Sequence, residues 1–556
     1  KSCEVPNWSN PCRLVWRVSG KVQMALGPLR CLGGASRSRV LNVSHAAGLV
    51  DPPHNKISLR PHAIETRGLE ETLEVTKMMR RSFLQGVAAA ASALPLMEST
   101  ARTQPNPPGR KLLLKGGYVV SCDKSIGEFK SGDVLIDGAK IENVGVDLPS
   151  GDADVIDARN KLVLPGLIDT HRHTWETQLR SMIPEGDFFV YLKVILQTVA
   201  PRYRPDDVYI GNLFGSLGAI NAGITTMLDW SHIMLTPDHA DAAVKGLADS
   251  GIRGVFAHGD PVAPFADWWS PKSELRHPAD ARRVRRQYFN ADDQLLTMAL
   301  ALRGPEYSSW EASVDDLKLA RDLGLPITIH MGVPGAKPGA VKALYDAKLL
   351  GPDITHVHTL RCSDEELQMI GDSGGSVSTS SATEVMSGHG FPSLQRWLRH
   401  GIRPSLSIDN ETRMPTDLFT QMRALLMIDR LLETQRVIKE GGKPALVPVR
   451  DILELATIHG ARTLGLDRKT GSLTPGKRAD IIMIDLDAIN VMPVNDAVSS
   501  AVTICNAGNV SWVMIDGKVR KRNGKLVGVD VERSRQLMAQ SLSLIHISEP
   551  TRQAEI

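Results

Sequence analysis

The stretch PGLIDTHRHTWE, residues 165–176, passes from an apolar run through Asp169 into two histidines, His171 and His173, with one residue between them. An apolar run opened by Pro-Gly reads as a buried strand, and residues two apart on a strand face the same way. Both imidazoles can then meet one ion while Arg172 points away. Taken alone, such a pair more often binds nothing, so its meaning depends on what the rest of the chain brings to the same level.

Eight runs in the chain share this texture. They are LVLPGLIDTH (162–171), GITTMLDW (223–230), GIRGVFAHGD (251–260), LLTMALALRG (295–304), LPITIHMG (325–332), DITHVHTL (353–360), GGSVSTSSA (374–382) and RPSLSIDN (403–410), with helix-length segments between them. One such segment, residues 206–223, has an acidic first turn, Ile210, Leu213, Leu217 and Ile220 at helical spacing, and Gly223 as its stop. Eight strands alternating with helices predict an α/β fold, a (β/α)8 TIM barrel; a doubly wound open sheet is the competing architecture. The barrel is preferred because His and Asp recur at the C-terminal ends of the strands, where barrels assemble their sites: His330 ends the fifth run, His356 lies in the sixth and Asp409 ends the eighth.

Short β-rich runs broken by Gly-Gly, Ser-Gly and Asp-Gly fill residues 111–145 and return in 471–487 and 510–528. Two such segments around a central block predict one composite β-domain built from both ends. From Met78, a charged start, an Ala-rich apolar middle and small residues suited to cleavage read as an export signal, and Arg80-Arg81 before Ser82-Phe83-Leu84 resembles the twin-arginine type. The protein is then expected outside the cytoplasm, periplasmic or extracellular, if Met78 or Met79 is the true start, and in the cytoplasm otherwise. The expected organisation begins with a non-native or mistranslated leader (1–77) and a signal with its linker (78–110). The N-terminal strands of a β-sandwich (111–164), the barrel (165–465) and the C-terminal strands of the same sandwich (466–528) follow. A helical tail that breaks at Ser541 into read-through (529–556) ends the chain.

With 65 basic and 62 acidic residues the net charge is only +3, which excludes a strong nucleic-acid or membrane-surface footprint and points to a small-molecule partner. The six cysteines form no CxxC pair, so any metal must use His and carboxylate. No membrane span is expected in the mature protein, and self-association is left open.

LPGLIDTHRH, the His of TIHMG, the His of THVHTL with its following SDEEL, the Asp of SIDN and the closing GSLTPGKRADIIMID together resemble the amidohydrolase superfamily, in its cytosine-deaminase-like and triazine-chlorohydrolase-like branch. The resemblance spans about residues 111–526 and implies a distorted (β/α)8 barrel plus a β-sandwich made from both chain ends. It implies a metal-dependent hydrolase cleaving a C–N bond (amide, urea-type or amino) or a C–halogen bond of a small cyclic or heterocyclic compound. The alternative is a catalytically inactive binding or assembly protein on the same fold. Binuclear relatives carry a carboxylated lysine on the fourth strand, and LLTMALALRGPEYSS has none, so one divalent ion, Zn2+ or Fe2+, is expected on His171, His173, His330 and Asp409. Asp409 would move the water's proton, and His356 would polarise the group under attack or hold the water; His358, on the same face, could swap roles with His356, the family pattern favouring His356 and leaving His358 a supporting or packing histidine.

Two departures stand out. Deaminases of the branch carry Glu three residues after the fifth-strand His, where this chain has Val333, and Asn410 stands where Gly commonly follows the Asp. Glu384 and His389 are candidates for the missing proton traffic, a helix-start carboxylate and a loop histidine being the other reading. Trp175 and Gln178 are candidates to line the pocket, with Trp175 equally readable as a plug over the barrel. Residues 267–274, DWWSPKSE, read as an aromatic insertion on the active-site side.

Overall fold

A computed structural model describes residues 111–547, apart from 292 and 337. The expected leader (1–77) and export signal (78–110) lie outside the described residues.

Eight parallel strands form one sheet in sequential order: β1 (Leu167–Arg172), β2 (Ile224–Ser231), β3 (Arg253–His258), β4 (Leu296–Leu302), β5 (Ile327–Met331), β6 (Ile354–His358), β7 (Ser376–Thr379) and β8 (Ser405–Leu406). Each corresponds to one of the runs picked from the sequence. The first run is split, however: Lys161–Pro165 belongs to the other sheet, and only the residues after Gly166 enter the barrel. The break is steric, since a Cβ on Gly166 would sit 1.9 Å from the hydroxyl of Thr225 on β2. Helix Pro205–Asn221 matches the segment read as helical, and Gly223 takes a left-handed φ of 85° beyond its end.

The barrel closes where β8 meets β1. Asp409 N donates to His171 O at 2.9 Å, His173 N donates to Asp409 O at 2.7 Å, and Ile408 N donates to the Asp169 carboxylate at 3.0 Å. The interior is divided by chemistry. Ile168, Leu228, Trp230, Val255, Ala257, Ala299 and Ala301 fill one side with apolar volume. On the seam side Thr170, Ser378, Ser405 and Ser407 fill it with hydroxyls that bond each other at 2.7–3.0 Å. These small polar side chains satisfy one another, so they are buried without an orphaned group.

Residues from both chain ends make the second sheet, as expected, but it is one continuous nine-stranded sheet with its own core, including Leu114, Val134, Ile141, Val163, Ile481 and Met514. It is joined to the barrel by Arg253 of β3, whose Nε donates to Asp480 Oδ2 at 2.6 Å while its Nη2 reaches Asp516 Oδ1 at 3.0 Å. The C-terminal helix runs Val531–Ile547 without the break expected at Ser541. Leu537 and Met538 pack against Ile210, Leu213 and Leu217, and Ser541 donates to Asp207 Oδ1 at 2.7 Å. Helical side chains at this spacing find a partner face that local pattern does not reveal. Among the described residues no helix is long and apolar enough to cross a membrane.

Asp480→Ala would leave the Arg253 guanidinium buried beside Asp516 alone. Removing one partner of a buried pair costs about 3–5 kcal/mol, so denaturant unfolding should show a lowered midpoint.

Candidate active site

Strand ends deliver the site. His171 and His173 come from the end of β1, His330 from β5, His358 from the end of β6 and Asp409 from the turn after β8. His330 Nε2 lies 3.2 Å from His171 Nε2, and Asp409 Oδ1 lies 3.5 Å from His171 Nε2 and 3.4 Å from His173 Nε2. His171, His173 and Asp409 form one group whose ligand atoms all fall within 4.8 Å, and His171, His330 and His358 form another. Arg172 turns away, its Nε donating to Asp169 at 2.9 Å and Nη2 to Thr416 at 2.7 Å.

The protonation states suit a cation. Burial lowers the pKa of His171, His173 and His330, leaving neutral imidazoles. Burial pushes the Asp409 carboxyl upward, yet the hydrogen bond from His171 and the charge on His358 outweigh it and hold the group below the usual range. Neutral imidazoles and an ionised carboxylate are the states in which these side chains bind metal. Two ring nitrogens facing each other at 3.2 Å, beside a carboxylate oxygen, form a converging donor set that a cation satisfies better than a proton does. The residues therefore fit one.

His356 is not in this cluster. Its ring lies on the outer face of β6, the face of Ile354, with Val377 and Ile329 as its neighbours in register, and its Nδ1 meets Ser376 O at 3.3 Å. His358 takes its place at the pocket wall. Strict alternation would put both rings on the helix side, but His358 has a left-handed φ of 74°, and that turn of the backbone brings its ring 5.4 Å from that of His330. Glu384 lies directly behind, its Oε1 3.0 Å from His358 Nδ1, while Thr379 and Ser380 donate to the same carboxylate. Burial opposes charge on His358, but the Glu384 hydrogen bond prevails and its pKa is raised.

The other expected residues divide. His389 and Asn410 line the pocket, with the His389 ring 4.6 Å from that of His358. Trp175 and Gln178 do not: the 3-10 turn Thr174–Leu179 directs them into the barrel's flank. Trp175 packs edge-on to Tyr203 at 4.9 Å, and Gln178 donates to Asp207 O at 2.6 Å. Val333 stands at the wall, and behind it Glu306 accepts from Gly332 N at 2.8 Å, with burial pushing its pKa up to about 7.

Several lining residues carry no signal in the motifs. His232 lies two residues past Trp230, where alternation carried beyond the end of β2 is the only cue to it. Phe188, Tyr191, Leu192 and Leu196 come from the long connection after β1, and Arg413 from beyond β8. Phe265 and Trp269 come from the insertion after β3 and meet Tyr307 from the loop after β4, with the Trp269 and Tyr307 rings 5.6 Å apart. The insertion is fastened by Arg303, at the end of β4. Its Nη1 donates to Trp268 O at 2.6 Å and Nη2 to Leu275 O at 2.5 Å, its Nε faces Asp260 Oδ2 at 3.3 Å, and the Trp268 ring lies over it at 5.1 Å.

A sequence model of the amidohydrolase family matches residues 162–520. A 5'-deoxyadenosine deaminase of Methanosarcina mazei is 25% identical over 432 residues, 76% of this chain and 95% of that protein. Two solved structures share the fold. An adenosine deaminase from Xanthomonas campestris with bound zinc has a TM-score of 0.68 at 19% identity, covering 79% of this chain and 100% of that one. An atrazine chlorohydrolase from Arthrobacter aurescens complexed with zinc has a TM-score of 0.67 at 23% identity, covering 78% and 100%.

Arg303→Met would keep the stem but leave the carbonyls of Trp268 and Leu275 without donors and Asp260 without its cation. Limited proteolysis followed by mass spectrometry should then show more cleavage within residues 261–277 in the variant than in the wild type.

Proposed function

The chain belongs to the amidohydrolase family, and we propose that it hydrolyses an amino or halogen substituent from a small, predominantly apolar heteroaromatic ring. The observation that carries this reading is the joining of two features in one pocket: a histidine and carboxylate cluster at its base and a wall of Phe188, Tyr191, Leu192, Phe265, Trp269 and Tyr307 around it. Flat apolar walls bury a ring, and a few convergent polar groups fix its orientation. Against the Phe188, Leu192, Phe265 and Trp269 side of that wall a ribose would find no partner for its hydroxyls, so ring substrates with small alkyl substituents suit that side better than nucleosides.

His171, His173, His330 and Asp409 are the proposed holders of one divalent cation, zinc or iron. Such a cation, when bound, makes hydroxide available near neutral pH by lowering the pKa of water from about 15.7 to about 7. Asp409 Oδ1 faces His171 and His173, leaving Oδ2 to take a proton from the attacking water. His358, held charged by Glu384, donates a hydrogen bond to the ring nitrogen next to the carbon under attack. The water oxygen bonds that carbon, the bond to the amino or halogen group breaks, and the proton on Asp409 leaves with the departing group. The aromatic wall keeps bulk water from the ring. Every group this sequence of events needs is present, which gives the inactive alternative nothing to rest on.

The test is a panel read by ammonia and chloride release, with 5'-deoxyadenosine, adenosine and atrazine as probes. The expected order places the chlorinated or aminated alkyl-substituted ring above both nucleosides in kcat/KM; the reverse order overturns the substrate class. Asp409→Asn should lower kcat by about 100- to 10,000-fold, whereas His356→Asn should leave kcat within a few-fold of wild type. Elemental analysis should find about one zinc or iron per chain, lost in His171→Ala.

A further inference from the structure

A second convergence of ligand atoms shares one residue with the cluster already described. A ring nitrogen of His173, a carboxylate oxygen of Glu176 and a ring nitrogen of His232 lie within 4.8 Å of one another, and all three residues are buried. They arrive from the end of β1, the turn Thr174–Leu179 and the residue following β2.

The two imidazoles are oriented by one carbonyl. Trp230 O lies 2.9 Å from His173 Nδ1 and 3.4 Å from His232 Nδ1. A carbonyl on Nδ1 fixes the tautomer that presents a bare Nε2, which is how metal-ligating histidines are held. For His232 the indole Nε1 of Trp175 competes for the same Nδ1, also at 3.4 Å. Each tautomer is therefore supported by one contact, and a cation on Nε2 would select the tautomer that donates to Trp230.

Glu176 supplies the anion. Its Oε1 accepts from the Tyr191 hydroxyl at 2.6 Å, while Oε2 is buried and has no hydrogen-bond partner. A buried carboxyl with an idle oxygen is costly unless something pairs with it.

We infer that His173, Glu176 and His232 form a second, weaker site for a divalent cation, filled only when metal exceeds what the primary centre takes up. Two imidazoles and one carboxylate suit zinc or cobalt rather than magnesium or calcium. Binding there draws His173 to the second ion, leaving His171, His330 and Asp409 to the first, and this sharing of one ligand makes the second ion the weaker one. The inference rests on the reading of His171, His173, His330 and Asp409 as the primary centre.

Equilibrium dialysis of the full chain against zinc, from substoichiometric to about 100-fold excess over protein, separates the two sites. Wild type should take up one ion and then a second, while Glu176→Gln and His232→Gln keep the first and bind the second at least tenfold more weakly. Retention of the first ion shows that the variants are folded. Cobalt added to wild type already holding one zinc gives a check without mutation, since a site built from two imidazoles should produce visible absorption bands. Saturation at one ion across the whole range, or a second ion unchanged in both variants, overturns the second site. A wild type that binds no ion at all overturns the primary centre instead.

Discussion

The hydrogen bonds that close the barrel are also the bonds that assemble the site. Asp409 accepts from His173 N and donates to His171 O, so the backbone of three proposed ligands is the seam between the first and last strands. Strand β8 is only two residues long, and it is this pairing, with Asp169 accepting from Ile408 N at 3.0 Å, that completes the ring. Asp409 makes the pairing with a left-handed φ of 69°, a conformation that costs about 1–3 kcal/mol for a residue with a side chain and that aims its carboxylate inward. His358 does the same at 74° at the end of β6. Both residues proposed to handle protons thus carry backbone strain, and there it sets direction rather than stability.

Around that base the pocket is shaped by short helices and loops in the connections between strands, which arginine side chains fasten in place. Arg303 holds two carbonyls of the insertion after β3, and Arg413 holds Gly186 O at 2.7 Å and Asp187 O at 2.8 Å in the connection after β1. Each guanidinium spans several loop acceptors at once, which its planar set of donors allows and a lysine would not. The aromatic wall is thus fixed from behind, and the face that meets a substrate is left apolar. The chain shares its family with nucleoside deaminases, and these connections supply the apolar part of its pocket.

Much of this is legible in the sequence. The eight strands announce themselves as apolar runs, four of them closing on His, Asp or Gly, and the HxH pair, His330 and Asp409 fall where strand ends predict. What is not legible depends on single backbone angles and on long-range packing. Alternation places His356 and His358 on one face, and only the positive φ of His358 separates them. Trp175 and Gln178 follow the HxH pair closely enough to suggest a pocket, but the tight turn that contains them points inward to Tyr203 and Asp207. His232 is hidden because the apolar run GITTMLDW stops two residues short of it. The C-terminal helix has no pattern of its own past Ser541, and its partner, Asp207, is 334 residues distant in sequence.

The seam also bears on how the molecule comes together. Its partners stand 239 residues apart, so the loop that closes it is among the longest the domain must form, and such contacts are made late and slowly. Before that moment His171 and His173 exist without Asp409, and no coordination sphere exists to be filled. A cation taken up afterwards acts as a clasp: it favours the closed ring over the open one by its own binding free energy. Metal capture on the proposed ligands would then be coupled to completion of the cylinder, since the residues proposed for the chemistry come together only with the last strand in place.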